Sequence, residues 1–187
     1  DPLFRGRDPF FKRLEEKRRN YSEEEKDILL DKQLEILKDI IPQYKEMAST
    51  GQIELSFTPF YHPILPLLCD TDIARAAMPN VRLPRQRFVH PEDAEKQIVM
   101  GINYFEKNFD RRPDGMWPSE GSVSEEVLKI VARHGIKWVA TDEGILSSSI
   151  NKKIRNNAGD LLEPNLLYRP YTFENVSIVF RDHTLSD

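Results

Sequence analysis

The sequence predicts an α/β fold built on parallel strands, and three observations carry that expectation. Strand-type segments at 53–58, 114–117, 136–141 and 176–180 are interleaved with helix-type segments. The strand at 114–117, a helix at 124–134 and the strand at 136–141 follow one another closely enough to form a parallel crossover unit. His62, Glu120, Asp142 and Asp182 each fall at or just beyond the C-terminal end of a strand segment. In a parallel barrel those ends converge on the face where active sites are built.

The elements follow in chain order. Residues 8–19 read as a short charged helix after an aromatic lead-in of Phe4, Phe10 and Phe11. Ser22 and Glu25 have capping-box spacing and open a longer helix. Ile28, Leu29, Leu34, Leu37, Ile40, Ile41, Tyr44 and Met47 recur at helical intervals and predict one buried stripe. Pro42 is expected to bend that helix or mark a junction, and Gly51 to close it. Residues 59–68 are too proline-rich for regular structure, yet so apolar that the loop should be tucked into the protein. His90-Pro91 opens a helix whose apolar face is Ala94, Ile98, Ile102 and Phe105. Residues 147–164 read as a polar loop with a turn at 156–159, before the last strand.

Composition excludes several classes. A chain of 187 residues with net charge -4 can bury a sizeable core as one domain. No basic stripe stands out, because Glu15 and Glu16 interrupt the basic cluster at 12–19, so nucleic acid is not an expected partner. Cys69 is the lone cysteine, so no internal disulfide is possible. No apolar run is long enough to span a bilayer, and no membrane partner is expected. No signal peptide is visible, which makes the cytoplasm the default, though secretion of a larger parent stays open.

Gly115-Met116-Trp117-Pro118-Ser119-Glu120-Gly121-Ser122-Val123-Ser124 is the most informative segment. It sets a carboxylate beside an indole on a stiff turn, with Pro118 before it and Gly121 after it. Ser122 and Glu125 have capping-box spacing, so a helix is predicted from Ser122, with Glu120 ionised just ahead of its N-terminus. Such a carboxylate suits stabilisation of positive charge on a sugar ring, with its side chain projecting into an open, sugar-sized groove. The plain alternative is a first-turn acid that merely steadies a helix.

These residues resemble glycoside hydrolase family 57. The resemblance is carried by Gly51-Gln52-Ile53-Glu54 running into Thr58-Pro59-Phe60-Tyr61-His62-Pro63-Ile64-Leu65-Pro66-Leu67, and by the Glu120 segment. Trp138-Val139-Ala140-Thr141-Asp142-Glu143 and Phe180-Arg181-Asp182-His183-Thr184-Leu185-Ser186-Asp187 add to it. It implies part of an incomplete (β/α)7 barrel over residues 51–187, flanked by a helical segment over residues 1–50. It further implies a retaining enzyme on α-glucans, a hydrolase or 4-α-glucanotransferase of the amylopullulanase-like and α-amylase-like branch. Glu120 is then the catalytic nucleophile, and no cofactor or metal is called for. The family's general-acid Asp and its opening His-Gln-Pro motif have no match here. The chain is therefore expected to be an internal piece of a larger catalytic domain, inactive alone.

Retention needs two carboxyl groups about 5–5.5 Å apart, one attacking and one protonating the leaving oxygen. Asp142 and Asp182 are the visible stand-ins for the acid, but hydroxyl binding or support suits them better. For Asp142 a strand-end cap is a close rival, and for Asp182-His183 the rival is an ion pair of Arg181 with a carboxylate. His62 and Tyr61 are read as substrate contacts, against packed structural residues. Trp117 either stacks on a sugar or belongs to the core, and Trp138 reads as core. Tyr168 and Tyr171 are further candidates for the cleft wall. One rival function is a metal-dependent polysaccharide deacetylase, which needs a His-x-x-x-His pair that His62, His90, His134 and His183 do not form. Another is a glucan-binding module without catalysis.

Overall fold

The computed structural model describes residues 8–186, which divide between Gln52 and Ile53 into two units. Phe4 and Asp187 lie outside the described residues. In the first unit, α1 (Pro9–Lys17) starts at Asp8, whose carboxylate accepts from the Phe10 N–H at 2.8 Å. Helix α2 (Glu23–Ser49) starts with the expected capping box: Ser22 Oγ accepts from the Glu25 N–H, and the Glu25 carboxylate from the Ser22 N–H. Lys32 ties the two helices together through a 2.5 Å ion pair with Asp8.

One expectation for α2, the burial of its apolar face, is corrected. The helix runs through Pro42 without ending there, and Gly51, at φ 73°, follows its last turn. Its apolar stripe is not buried: Leu34, Leu37, Ile40, Ile41 and Tyr44 are all exposed, and Ala48 is the residue it buries. Periodicity reports that a helix has an apolar face, but it does not say that this stretch of chain covers it.

The second unit is organised by a five-stranded sheet of order β1-β2-β3-β5-β4. Strands β1 (Ser56–Phe57), β2 (Gly115–Met116), β3 (Trp138–Asp142) and β5 (Val176–Arg181) run parallel to one another. Strand β4 (Tyr171–Phe173) pairs antiparallel with β5 at one edge. This is the α/β architecture the sequence predicts, with the parallel strands of a partial barrel.

Helix α3 (Leu65–Cys69) corrects the reading of 59–68 as irregular, since Pro66 sits in the first turn where its missing N–H costs nothing. The same stretch is only partly tucked in, with Leu65 buried but Phe60 and Tyr61 exposed. After the single turn α4 (Ala74–Ala77) comes α5 (Pro91–Phe109), which buries Ala94, Ile98, Ile102 and Phe105 as expected. Helix α6 (Glu125–Arg133) packs against α3 and α5. These helices share a core with Phe57, Met116, Val139 and Val176 of the strands. Beyond β3, α7 (Glu143–Ser149) and α8 (Pro164–Leu167) bring Leu146, Ile154 and Leu167 into a second cluster. The segment expected as loop is irregular between the end of α7 and the start of α8 apart from a bridge between Arg155 and Leu161, with the turn at 156–159 held by Asn156 Oδ1.

Gly115 shows how tightly the strands carry their side chains. A Cβ there would lie 2.0 Å from Cε2 of Trp138, whose indole N–H donates to Glu54 at 2.6 Å. Trp138 is thus half-buried against β2 rather than free to swing away. Gly115→Ala is expected to destabilise the protein by ~1–3 kcal/mol through overpacking. Urea unfolding against the parent measures it, and an unchanged midpoint would contradict this packing.

Candidate active site

Everything distinctive about Glu120 begins with the turn that follows β2. The Trp117 N–H still donates to Phe57 O at 2.8 Å, and Pro118 then starts the 3-10 turn Ser119–Gly121. Glu120 sits in it at φ 54° and ψ 23°, and Gly121 at φ 64°. A left-handed conformation is costly for a glutamate and persists only where the surroundings enforce it. The predicted start of the next helix at Ser122 is corrected. Ser122 Oγ instead donates to Ser119 O at 2.7 Å, and Ser124 is the N-cap, accepting from the Val127 N–H. Glu120 therefore stands clear of α6, and that helix's N-terminus does not supply donors to its carboxylate.

The donor comes from the neighbouring strand. His62, itself left-handed at φ 56°, approaches from beyond β1 and places Nε2 3.2 Å from Glu120 Oε1. Its Nδ1 lies 3.5 Å from Thr58 Oγ1. The Glu120 side chain is 74% exposed and that of His62 54%, so the pair is open to solvent rather than sealed in packing. Tyr61 is also exposed, in edge contact with Phe60, which meets Tyr104 in the same way. Trp117 is half-buried. A cavity of ≈ 520 Å³ lies between β1 and α5, walled by Phe57, Thr58, Phe60, Gly101, Tyr104 and Phe105. Glu120 is not part of its wall.

A second polar cluster occupies the ends of β3 and β5. Asp142 caps α7 through the Gly144 N–H at 2.8 Å, and its other oxygen meets His183 Nε2 at 2.6 Å and Arg181 at 3.2 Å. Partial burial pushes its carboxyl up, but the Gly144 amide, His183 and Arg181 outweigh that and hold it below the usual range. Both rival readings, cap and ion pair, hold at once for this residue. Asp182 is 8% exposed and has both oxygens taken, one by Arg155 at 2.8 Å and the other by the Tyr168 hydroxyl. The Tyr168 hydroxyl, followed by the Leu185 amide and Arg155, keeps its carboxyl low against the desolvation of burial. Arg155 also grips buried Glu143 through Nε at 2.5 Å and a second nitrogen at 3.1 Å. His183 joins the two groups, with Nδ1 3.4 Å from Glu143.

With this geometry in hand, the relationship of the chain to known proteins is decided by one match. The profile of Glycosyl hydrolase family 57 fits residues 8–187. The chain belongs to that family. It is 30% identical over 106 residues to Alpha-amylase 1 of Dictyoglomus thermophilum, across 54% of this chain and 12% of that protein. Its fold is similar to that of an alpha-amylase from Thermotoga maritima, with TM-score 0.59 and 17% identity over 100% of this chain and 30% of the other. A branching enzyme of the same family from Thermococcus kodakaraensis gives TM-score 0.55 and 20% identity, over 92% of this chain and 32% of that one. The chain thus spans a minor part of each relative's length.

In this family 57 chain the predicted residues fall into two groups. His62 and Glu120 meet directly, while Asp142 and His183 meet each other, with Asp182 linked to them through Arg155 and Glu143. Sequence reasoning left Glu143 and Arg155 unassigned. A second acid at the end of β3, directly after Asp142, was the available signal for Glu143. Arg155 lies in a polar loop and gave none. Among the described residues, no group of three or more His, Cys, Asp or Glu side chains is placed to hold a metal ion. Nor is any helix among them long and apolar enough to cross a membrane.

Proposed function

We propose that this chain carries the nucleophile half of a retaining α-glucan-active site, with Glu120 attacking the anomeric carbon. The supporting observation is the exposed carboxylate on a strained turn beyond β2, with an imidazole 3.2 Å away from beyond β1. Strain of that kind gathers at working sites. Attack forms a glycosyl ester on Glu120 and expels the leaving oxygen, which takes a proton from the general acid. Water then cleaves the ester, or a sugar hydroxyl does so in transfer. His62 orients the attacking carboxylate. Trp117 and Tyr61 offer flat faces to sugar rings, and the open edge of His183 meets hydroxyls. Asp142 and Asp182 support the site from behind, since their oxygens are already engaged by protein groups.

Neither aspartate suits a proton donor, because both carboxyls are held low. The acid is therefore assigned beyond residues 8–186, and residues 8–186 alone are expected to turn nothing over. α-Glucan is the proposed substrate class, on the strength of family membership and an α-amylase relative. The test is mass spectrometry of the full-length protein after reaction with a slow 2-deoxy-2-fluoro glucosyl fluoride. One stable adduct on Glu120 is expected. An adduct on any other residue would overturn the assignment.

A further inference from the structure

We propose that Thr141 is a positioning residue for the Glu120 turn, its hydroxyl tethering that turn to the end of β3. The inference rests on Glu120 being the nucleophile and adds what aims it. Thr141 is completely buried, and its Oγ1 donates to the carbonyl of Gly121, the residue that immediately follows Glu120. Gly121 also lies flat on β3: a Cβ there would stand 3.7 Å from Thr141 Oγ1 and 3.8 Å from the Asp142 nitrogen.

Apart from the His62 contact at the Glu120 carboxylate, the other hydrogen bonds of the turn close it on itself. The Gly121 N–H donates to Pro118 O, and the Ser122 N–H and hydroxyl both donate to Ser119 O. All of these survive if the turn pivots as a body. Ser119, buried beside the nucleophile, makes no hydrogen bond through its hydroxyl and so does not anchor the turn. Thr141 does, and from a rigid base, because β3 is in register with β2 on one side and β5 on the other. Two successive left-handed residues have no reason of their own to point the carboxylate one way. The sheet aims the turn through one hydroxyl, and His62 then orients the carboxylate that the turn carries. The next residue, Asp142, holds His183 and Arg181, so adjacent positions of β3 align the two polar clusters.

The experiment compares Thr141→Val, Thr141→Ser and Glu120→Gln in the full-length protein, with melting curves to check folding. Valine keeps the shape and loses the hydroxyl. Thr141→Val is expected to lower kcat by ~10- to 100-fold, since small misplacements of a reacting group have effects of that size. KM should move by less than about threefold, and fluorosugar labelling of Glu120 should slow in parallel. Thr141→Ser should return kcat to within about threefold of the parent. Should Thr141→Val not fold, Thr141→Ala removes the same hydroxyl and is read against Thr141→Ser in the same way. An unaltered kcat without the hydroxyl, a serine variant as impaired as the valine one, or a loss confined to KM overturns the tether. Glu120→Gln separates the two readings: full activity there sinks the nucleophile assignment, whereas an inert Glu120→Gln beside a normal Thr141→Val sinks the tether alone.

Discussion

Glu120→Gln is expected to lower kcat/KM on a maltooligosaccharide by ~10⁴-fold or more, the scale on which removal of a nucleophile acts. The amide has the same shape, but it cannot form the glycosyl ester. The protein should melt at the parent's temperature, because the side chain is 74% exposed and its visible partner is His62, itself largely open to water. An exposed pair of this kind adds little to stability. Loss of turnover without loss of fold is the signature of a reacting group. Oligosaccharide binding, followed by calorimetry, should persist in the Gln variant, since the contacts proposed for Tyr61, Trp117 and His183 are left intact. A variant that keeps more than about a tenth of the activity would mean that chemistry occurs elsewhere. A parent that binds glucan but never forms an adduct would favour a binding module.

The placement of these polar residues was legible because strand ends are. Alternation and β-branching place Ile136 and its successors in a strand, and the polar residue that ends the run lands at the sheet's C-terminal edge. That argument located Glu120, Asp142 and Asp182 correctly along the sheet, each at or just past a strand end. What the polar groups do there was not legible. Ser122 and Glu125 satisfy the capping-box spacing as well as Ser22 and Glu25 do, yet the second pair forms the box and the first does not. The difference lies in Ser119–Gly121, a left-handed turn that takes the Ser122 amide and hydroxyl for itself and is bonded by Thr141 from the end of β3. Local spacing does not encode a tether from twenty residues away. Strand β4 escaped notice for a related reason: three residues turning at Glu174, φ 50°, carry no Asn-Gly or Gly signal. The α2 stripe erred the other way, its period real and its burial absent.

Arg155→Met is expected to lower the melting temperature of the full-length protein at neutral pH by on the order of 10 °C, because two buried carboxylates lose their shared cation. Glu143 is 4% exposed and Asp182 8%, and Arg155 bridges them with its fork. Tyr168 can still donate to Asp182, but it brings no charge. The pH dependence gives the cause. The Asp182 carboxyl is held below its ordinary value, first by the Tyr168 hydroxyl and then, against desolvation, by the Leu185 amide and Arg155. Its contribution is therefore fully present above the unfolded value of about 3.9, and it is lost as pH falls through the lower folded value. The variant lacks part of that depression, so the gap between its melting curve and the parent's should be widest at neutral pH and narrow through the acid range. Arg155→Lys should fall between the two, since an ammonium ion cannot reproduce the fork that meets both acids. Because α7, α8 and the end of β5 all converge on this cluster, losing it should also loosen Asp142 and His183 and weaken glucan binding. A gap that stays constant from neutral to acid pH would show that Arg155 acts by packing alone.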